Sequence, residues 1–251
     1  MGVKPSQSGA RILAALEKIA THQPVGISDL ARSLNANLSA VQRAVQTLAD
    51  EGWIRPAPGK PVRWELTPRI HSVSQHAYGS HDLRRRARRE LEALRDATGE
   101  TVVLNVPDDG KFIVVDVLES PHYLRVAAPV GLIVTPRGSA TSRALLPYMS
   151  PEQQIQYLGE PPDAAMLADF AETIERGYAI SIGDVVPGST NIAAPIFEMD
   201  GRPVGAVLVS APSDRATEED YARLSTMVKA TAQRLSRGPT PEAALHHREL
   251  H

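Results

Sequence analysis

The 251-residue chain carries 27 Lys/Arg against 29 Asp/Glu, a formal net charge of -2, and no cysteine. That length accommodates two domains with a core each, and the lack of cysteine excludes disulfides, thiolate zinc fingers and a cysteine nucleophile. No apolar run approaches the roughly 18 residues of a membrane span, and Met1 to Ser6 lack the apolar stretch of a secretory signal; a soluble cytoplasmic protein without a membrane partner is expected.

Charge is distributed unevenly. Residues 1 to 89 hold 14 Lys/Arg against 6 Asp/Glu, and residues 90 to 251 hold 13 against 23. Such asymmetry is expected when one end meets a polyanion, although five of the front's arginines fall in one run, Arg84 to Arg89.

Ala10, Leu13, Leu16, Ile19 and Ala20 recur at helical spacing, and Pro24 ends that first helix. The spacing predicts a second helix over Ile27 to Leu34, capped by Ser28, with Leu30, Ala31 and Leu34 facing inward. After the turn Asn35-Ala36-Asn37, a third helix is predicted with Asn37 as its cap and Leu38, Val41, Val45 and Leu48 pointing to the core. Its outer face then collects Ser39, Gln42, Arg43 and Gln46. Gln and Arg can bond the edges of purines, and Ser39 can bind a phosphate. Any solvated helix shows a polar face, so the wing tips the balance. Trp53-Ile54-Arg55 and Val62 to Leu66 flank a Pro/Gly tip as a hairpin, placing Lys60 and Arg63 along a phosphate backbone. Helix, helix, helix and hairpin make a winged helix-turn-helix, whose partner is double-stranded DNA.

Thr67-Pro68 starts a short connecting helix stopped near Gly79, and Ser80 caps a longer one carrying Leu83, Ala87, Leu91 and Leu94 to Gly99. The arginine run on its outer side is either a second DNA contact or a solvated face paired with Asp82, Glu90 and Glu92; the second reading is favoured. A hairpin over Thr101 to Val106 and Phe112 to Leu118 turns at Asp108-Asp109-Gly110, and Tyr123 to Ala128 reads as a third strand. Arg143 to Tyr148 reads as a helix end. Ser150-Pro151-Glu152-Gln153 is a capping box opening a helix to Gly159, and another runs from Asp163 to Gly177. Strands follow near Tyr178 to Ile182, Asn191 to Glu198 and Pro203 to Ser210, then a helix capped at Thr217 and running to about Arg237. Hairpins mixed with helices give an α+β class with an antiparallel sheet.

From residue 8 to 237 the sequence resembles the IclR family of bacterial transcription regulators. The resemblance is carried by Arg176-Gly177-Tyr178-Ala179, by Pro187-Gly188-Ser189-Thr190-Asn191-Ile192-Ala193-Ala194-Pro195-Ile196-Phe197, by Asp200-Gly201 and Val209-Ser210-Ala211-Pro212, and by Thr98-Gly99-Glu100-Thr101-Val102. It implies a winged helix-turn-helix over residues 1–67, a linker helix over 68–80, a GAF/PAS-like effector-binding domain over 81–237 and a flexible tail over 238–251. It also implies a homodimer or homotetramer on promoter DNA. The family's effector pocket uses backbone N–H groups of a Thr/Ser-Ala pair, matched by Ser139 and Ala140. A histidine just before that pair is Arg137 here, a cysteine is Asn191, an acidic residue is Ser181, and the serine closing the last strand is Ser210. Arg43 matches the family's arginine, while a family Ser-Thr is Ser39-Ala40.

With a carboxylate lost and a cation gained, a small organic acid, an aromatic carboxylate among the candidates, is the expected effector, with Arg137 pairing its carboxylate. The alternative for Arg137 is a solvent-facing loop residue. Binding between the sheet and the Ser139 loop would shift the linker and alter the spacing of two reading helices. No cofactor, metal or catalytic residue is called for. A hydrolase is the rival class, yet no Gly-x-Ser-x-Gly elbow occurs, and His122 has no evident serine or acid partner. His246, His247 and His251 in the tail are weak candidates for a metal. A second rival is a regulator acting through protein partners alone.

Overall fold

The computed structural model describes residues 6–74 and 80–237, with the side chains of 74 and 80–82 left aside. The chain divides into two compact units, one up to residue 77 and the other from residue 78.

The first unit holds α1 (Gln7–His22), α2 (Ile27–Ser33), α3 (Leu38–Asp50), β1 (Ile54–Pro56), β2 (Trp64–Leu66) and α4 (Arg69–Ser74). Ala15 and Ile19 of α1, Leu30 of α2, and Val41, Ala44, Val45 and Leu48 of α3 pack with Ile54 into one core. Each fully buried Val, Leu or Ile side chain contributes about 1.5–3 kcal/mol, so this cluster is what fixes α3 against its neighbours. Leu38, expected inward, is 46% exposed. It is the first residue of α3 and projects ahead of the layer that Val41 begins. Ser28 is not a cap: the cap position is Gly26, two residues earlier, whose carbonyl already accepts from the Leu30 N–H. Asn37 does occupy the cap position of α3, but its side chain makes no capping bond. Asn35, at φ +47°, supplies the left-handed residue that the turn between α2 and α3 requires.

β1 and β2 pair antiparallel, Ile54 opposite Leu66, and Val25 adds a third short rung by exchanging both backbone hydrogen bonds with Trp64. The start of the linker is clamped to this unit. The Thr67 hydroxyl donates to the Gly52 carbonyl at 2.7 Å, and the Arg69 guanidinium bonds the Glu51 carbonyl and lies over the Trp53 ring. The expected stop at Gly79 and the tail from Gly238 lie outside the described residues.

The second unit is a six-stranded antiparallel sheet in the order β5-β4-β3-β8-β7-β6. Its strands are β3 (Thr101–Asp108), β4 (Lys111–Leu118), β5 (Ile133–Val134), β6 (Ala179–Ile182), β7 (Ser189–Phe197) and β8 (Pro203–Pro212). α5 (Ser80–Thr98) and α9 (Glu218–Leu235) cover one face, meeting Val102, Leu104, Ile192, Val207 and Val209. α6 (Ala140–Leu145), a 3-10 turn over Leu146–Tyr148, α7 (Pro151–Leu158) and α8 (Ala164–Arg176) serve the other face, with Val103, Phe112, Ala193 and Leu208. The alternation of side chains along each strand sorts the two sets. The capping box at Ser150 and the cap at Thr217 stand as expected, the helix expected from Asp163 has that residue as its cap, and α5 begins at Ser80 itself.

Tyr123 to Ala128 is a loop, not a third strand. The edge of β4 is taken by Ile133–Val134, so this segment pairs with no strand, and Tyr123 stands fully exposed. Among the described residues the arginine run of α5 is a paired face that also draws acids from other elements; the side chain of Asp82 lies outside them. Arg84 and Arg88 reach the buried Asp116 of β4 at 3.7 and 3.2 Å, Arg86 reaches Glu198, and Arg88 adds Glu92 at 2.8 Å. Glu90 is held by Arg234 of α9.

Candidate functional site

Two sites emerge, one in each unit. On the first, Ser39, Gln42, Arg43 and Gln46 are all exposed along one side of α3, opposite the buried Val41, Val45 and Leu48. Core packing on one stripe thus presents the polar stripe to solvent, as a helix lying in a major groove requires. The Gln46 amide donates to Asp50 at 2.6 Å, which fixes its orientation from within the helix. Lys60 at the tip of the hairpin is exposed; Arg63 is exposed too, with one guanidinium N–H donating to the Pro24 carbonyl at 3.2 Å. These six residues lie on one unit; Arg63, expected on the second strand, sits just ahead of β2, which begins at Trp64.

The second site is a partly open cavity of about 120 Å³ between the sheet and the segments that cover it. Thr101, Val103 and Asn105 of β3 enter it at alternate positions, with Val114 of β4, Asn191 of β7, and Leu208 and Ser210 of β8. Ser181 of β6, Val126 to Ala128, Leu132, Val134, Val185 and Val186 complete the walls, and the first turn of α6 closes it through Ser139, Ala140 and Thr141. Among the described residues no charged side chain lines it. The register explains the polar stripe on its floor: Ser181 stands opposite Asn191, Asn191 opposite Ser210, and Ser210 opposite Thr101, one row across four strands.

The row is held in a fixed direction. Ser210 donates to Asn191 Oδ1 at 2.6 Å, Asn191 Nδ2 donates to Ser189 Oγ at 3.1 Å, and Ser189 donates to the Val186 carbonyl at 2.7 Å. Ser181 donates to Asp184 at 3.1 Å, and Arg143 of α6 braces Asp184 at 3.2 Å and the Ile180 carbonyl at 2.8 Å. The covering loop is tied down by Thr101, which donates to the Val126 carbonyl at 2.8 Å. Arg215, in the turn after β8, grips Glu100 with two bonds at 2.7 and 2.9 Å and the Leu124 carbonyl at 2.9 Å. The Glu100 bond raises the pKa of that guanidinium further above its ordinary value.

Residues 75–237 match the sequence profile of the bacterial transcriptional regulator IclR C-terminal domain, and residues 9–58 match that of the IclR helix-turn-helix domain. The chain belongs to the IclR family. Among curated relatives, the HTH-type transcriptional regulator BhcR of Paracoccus denitrificans is 28% identical over 247 residues, covering 92% of this chain and 86% of that one. The transcriptional repressor IclR of Escherichia coli is 27% identical over 244 residues, covering 92% and 89%. Solved structures share the fold. An IclR regulator from Alicyclobacillus acidocaldarius superposes with a TM-score of 0.78 at 23% identity, covering 93% of this chain and 98% of that one. An IclR homolog from Microbacterium hydrocarbonoxydans complexed with 4-hydroxybenzoate gives 0.78 at 20% identity, covering 92% and 98%. IclR-family proteins are transcription regulators rather than enzymes, with a DNA-binding helix-turn-helix and a C-terminal effector domain.

Of the effector residues expected from the IclR resemblance, Ser139, Ala140, Ser181, Asn191 and Ser210 all line the cavity. Arg137 does not. It belongs to a separate depression of about 240 Å³ with Arg143, Asp163, Met166 and Asp169, where its guanidinium bonds Glu160 and lies 3.7 Å from Met166 Sδ. The physical cause is Gly138, whose φ of +79° reverses the chain between Arg137 and Ser139. The cation expected in the pocket is therefore already paired outside it. Sequence reasoning also missed Asn105. Its signal was a lone amide within the apolar run Val102 to Val106, two positions from Val103 and four from Thr101.

Proposed function

We propose that this IclR-family regulator binds promoter DNA as a homodimer or a homotetramer, reading bases with Gln42, Arg43 and Gln46 and phosphates with Ser39, Lys60 and Arg63. Acting in the cytoplasm, it answers to a small organic acid, aromatic or aliphatic, held in the cavity of the second unit. The observation that carries the DNA reading is the exposed polar stripe of α3 on a core that fixes its direction. The effector reading rests on a cavity of single-ring size, about 120 Å³, walled by Val and Leu and holding a small set of hydroxyls and amides.

With Arg137 elsewhere, the carboxylate falls to the first turn of α6, where Ala140 and Thr141 have backbone N–H groups without intrahelical partners. No acidic side chain lines the cavity among the described residues, and the nearby Asp184 is paired with Arg143. Occupation tightens the covering loop and the Ser139 turn, and the linker carries that change to the reading helices. Two α3 helices must meet half-sites about one helical turn, roughly 34 Å, or a multiple apart, so a small rotation releases or recruits the protein.

The test is footprinting of the DNA upstream of its own gene, with and without candidate acids that raise the melting temperature. Protection in two patches spaced by whole helical turns, altered by the stabilising acid, supports the reading. A single patch bound by a monomer, indifferent to every stabilising acid, overturns it.

A further inference from the structure

Strand register lays the cavity floor out in rows. Next to the polar row of Thr101, Ser210, Asn191 and Ser181 lies a second one, two residues further along each strand: Val103 opposite Leu208, Leu208 opposite Ala193, and Ala193 opposite Ala179. Leu208 is the largest side chain of this row, and it packs with Ala140 and Ala144 of α6 on the face of the sheet where the cavity lies. It lines the cavity and keeps 8% of its surface exposed, against 3% for Val103 and 0% for Ala193 and Ala179. Ala206, the next residue on the same face of β8, is also 0% exposed, and the cavity lining includes Leu208 but none of these three alanines. Leu208 thus stands between the open space and a patch of alanine. A methyl group cannot extend or turn to fill a gap, so trimming Leu208 enlarges the cavity over that patch instead of letting it collapse.

We infer that Leu208 sets the upper size of the effector, as the stop against which the apolar body of the ligand rests. An apolar cavity of roughly 150 Å³ holds benzene. At about 120 Å³ and partly open, this one takes a single ring and stops short of two. The assignment deepens the organic-acid reading and rests on it for the class of ligand: single-ring or shorter acids, with fused two-ring acids excluded by Leu208.

Calorimetric titration on the full chain compares benzoate with 2-naphthoate, and the uncharged benzamide with 2-naphthamide. The parent is expected to bind the single-ring member of each binding pair on the order of ten-fold more tightly, because a second ring over-packs against Leu208. In Leu208→Ala the order is expected to reverse by a similar factor, since the added ring then buries its apolar surface on the freed alanines. Leu208→Met, of near-equal volume, is expected to keep the parental order. A parent that binds both ring sizes equally overturns the inference, and so does a parental order that survives in Leu208→Ala. Should that variant not fold, Leu208→Val, which removes one methylene, carries the test: its ratio should move toward the two-ring member, and an unmoved ratio overturns the inference. If only the two amides bind, in the orders expected, the organic-acid reading fails and the role of Leu208 stands. If the acids bind with a ratio that Leu208→Ala leaves unchanged, the role of Leu208 fails and the organic-acid reading stands. Silence from all four compounds counts against both.

Discussion

Replacing Arg215 by Met tests how the cavity's cover is held. Glu100 has a side chain only 7% exposed, and its two oxygens are both occupied by Arg215, which is 31% exposed. Removing one partner of a buried pair costs about 3–5 kcal/mol because the remaining charge is stranded. Water reaches Arg215 on one side and would reach the vacated carboxylate too, so the expected loss is reduced to about 2 kcal/mol. The assay is urea unfolding of the single variant and of Glu100→Gln/Arg215→Met. With no charge left to strand, the double variant is expected to regain about 1 kcal/mol. The Leu124 carbonyl loses its donor as well, so amides from Val126 to Ala128 should exchange faster in the Arg215→Met protein. A single variant within about 0.5 kcal/mol of the parent, or a double variant no more stable than the single, would mean that Arg215 does not hold a buried charge.

Gly205→Ala is expected to destabilise the second unit by about 1–3 kcal/mol in chemical unfolding, because a Cβ there would meet the Asn105 carbonyl and Leu83 Cδ2, both at 2.8 Å. Asp220 has its pKa lowered by the Thr217 hydroxyl and backbone N–H, then by Arg223. Its contribution to the start of α9 is therefore fully present above the ordinary carboxylate range and lost as pH falls through the lowered folded value. An Asp220→Asn protein should show a shallower loss of urea midpoint on acidification. Lys60→Ala, at the exposed wing tip, should weaken DNA binding evenly across sequences and reduce the salt slope by about one.

Much of the first unit could be read directly from residue order, because the 3.6-residue period of Val41, Val45 and Leu48 fixes where Ser39, Gln42, Arg43 and Gln46 point. Periodicity says less at a helix's first turn, where Leu38 escapes the core. Tyr123 to Ala128 has the look of a strand, but strand formation depends on a partner, and the neighbouring edge belongs to Ile133–Val134. In the cavity, sequence reasoning placed Ser139, Ala140, Ser181, Asn191 and Ser210 together through family resemblance. The row from Ser181 through Asn191 and Ser210 to Thr101 was out of reach, since it depends on long-range register. Arg137 was misplaced for a related reason: proximity to Ser139 along the chain carries no direction across a glycine of positive φ.

Fluorescence anisotropy with a duplex from upstream of the gene measures whether α3 reads DNA. Between 50 and 200 mM salt the affinity should fall by about 10³–10⁵ if six to ten phosphates are contacted. Gln42→Ala/Arg43→Ala should weaken binding by about 1–3 kcal/mol per lost paired contact while leaving the unfolding midpoint unchanged, since both side chains are exposed. An affinity indifferent to salt and equal in parent and variant would contradict the account.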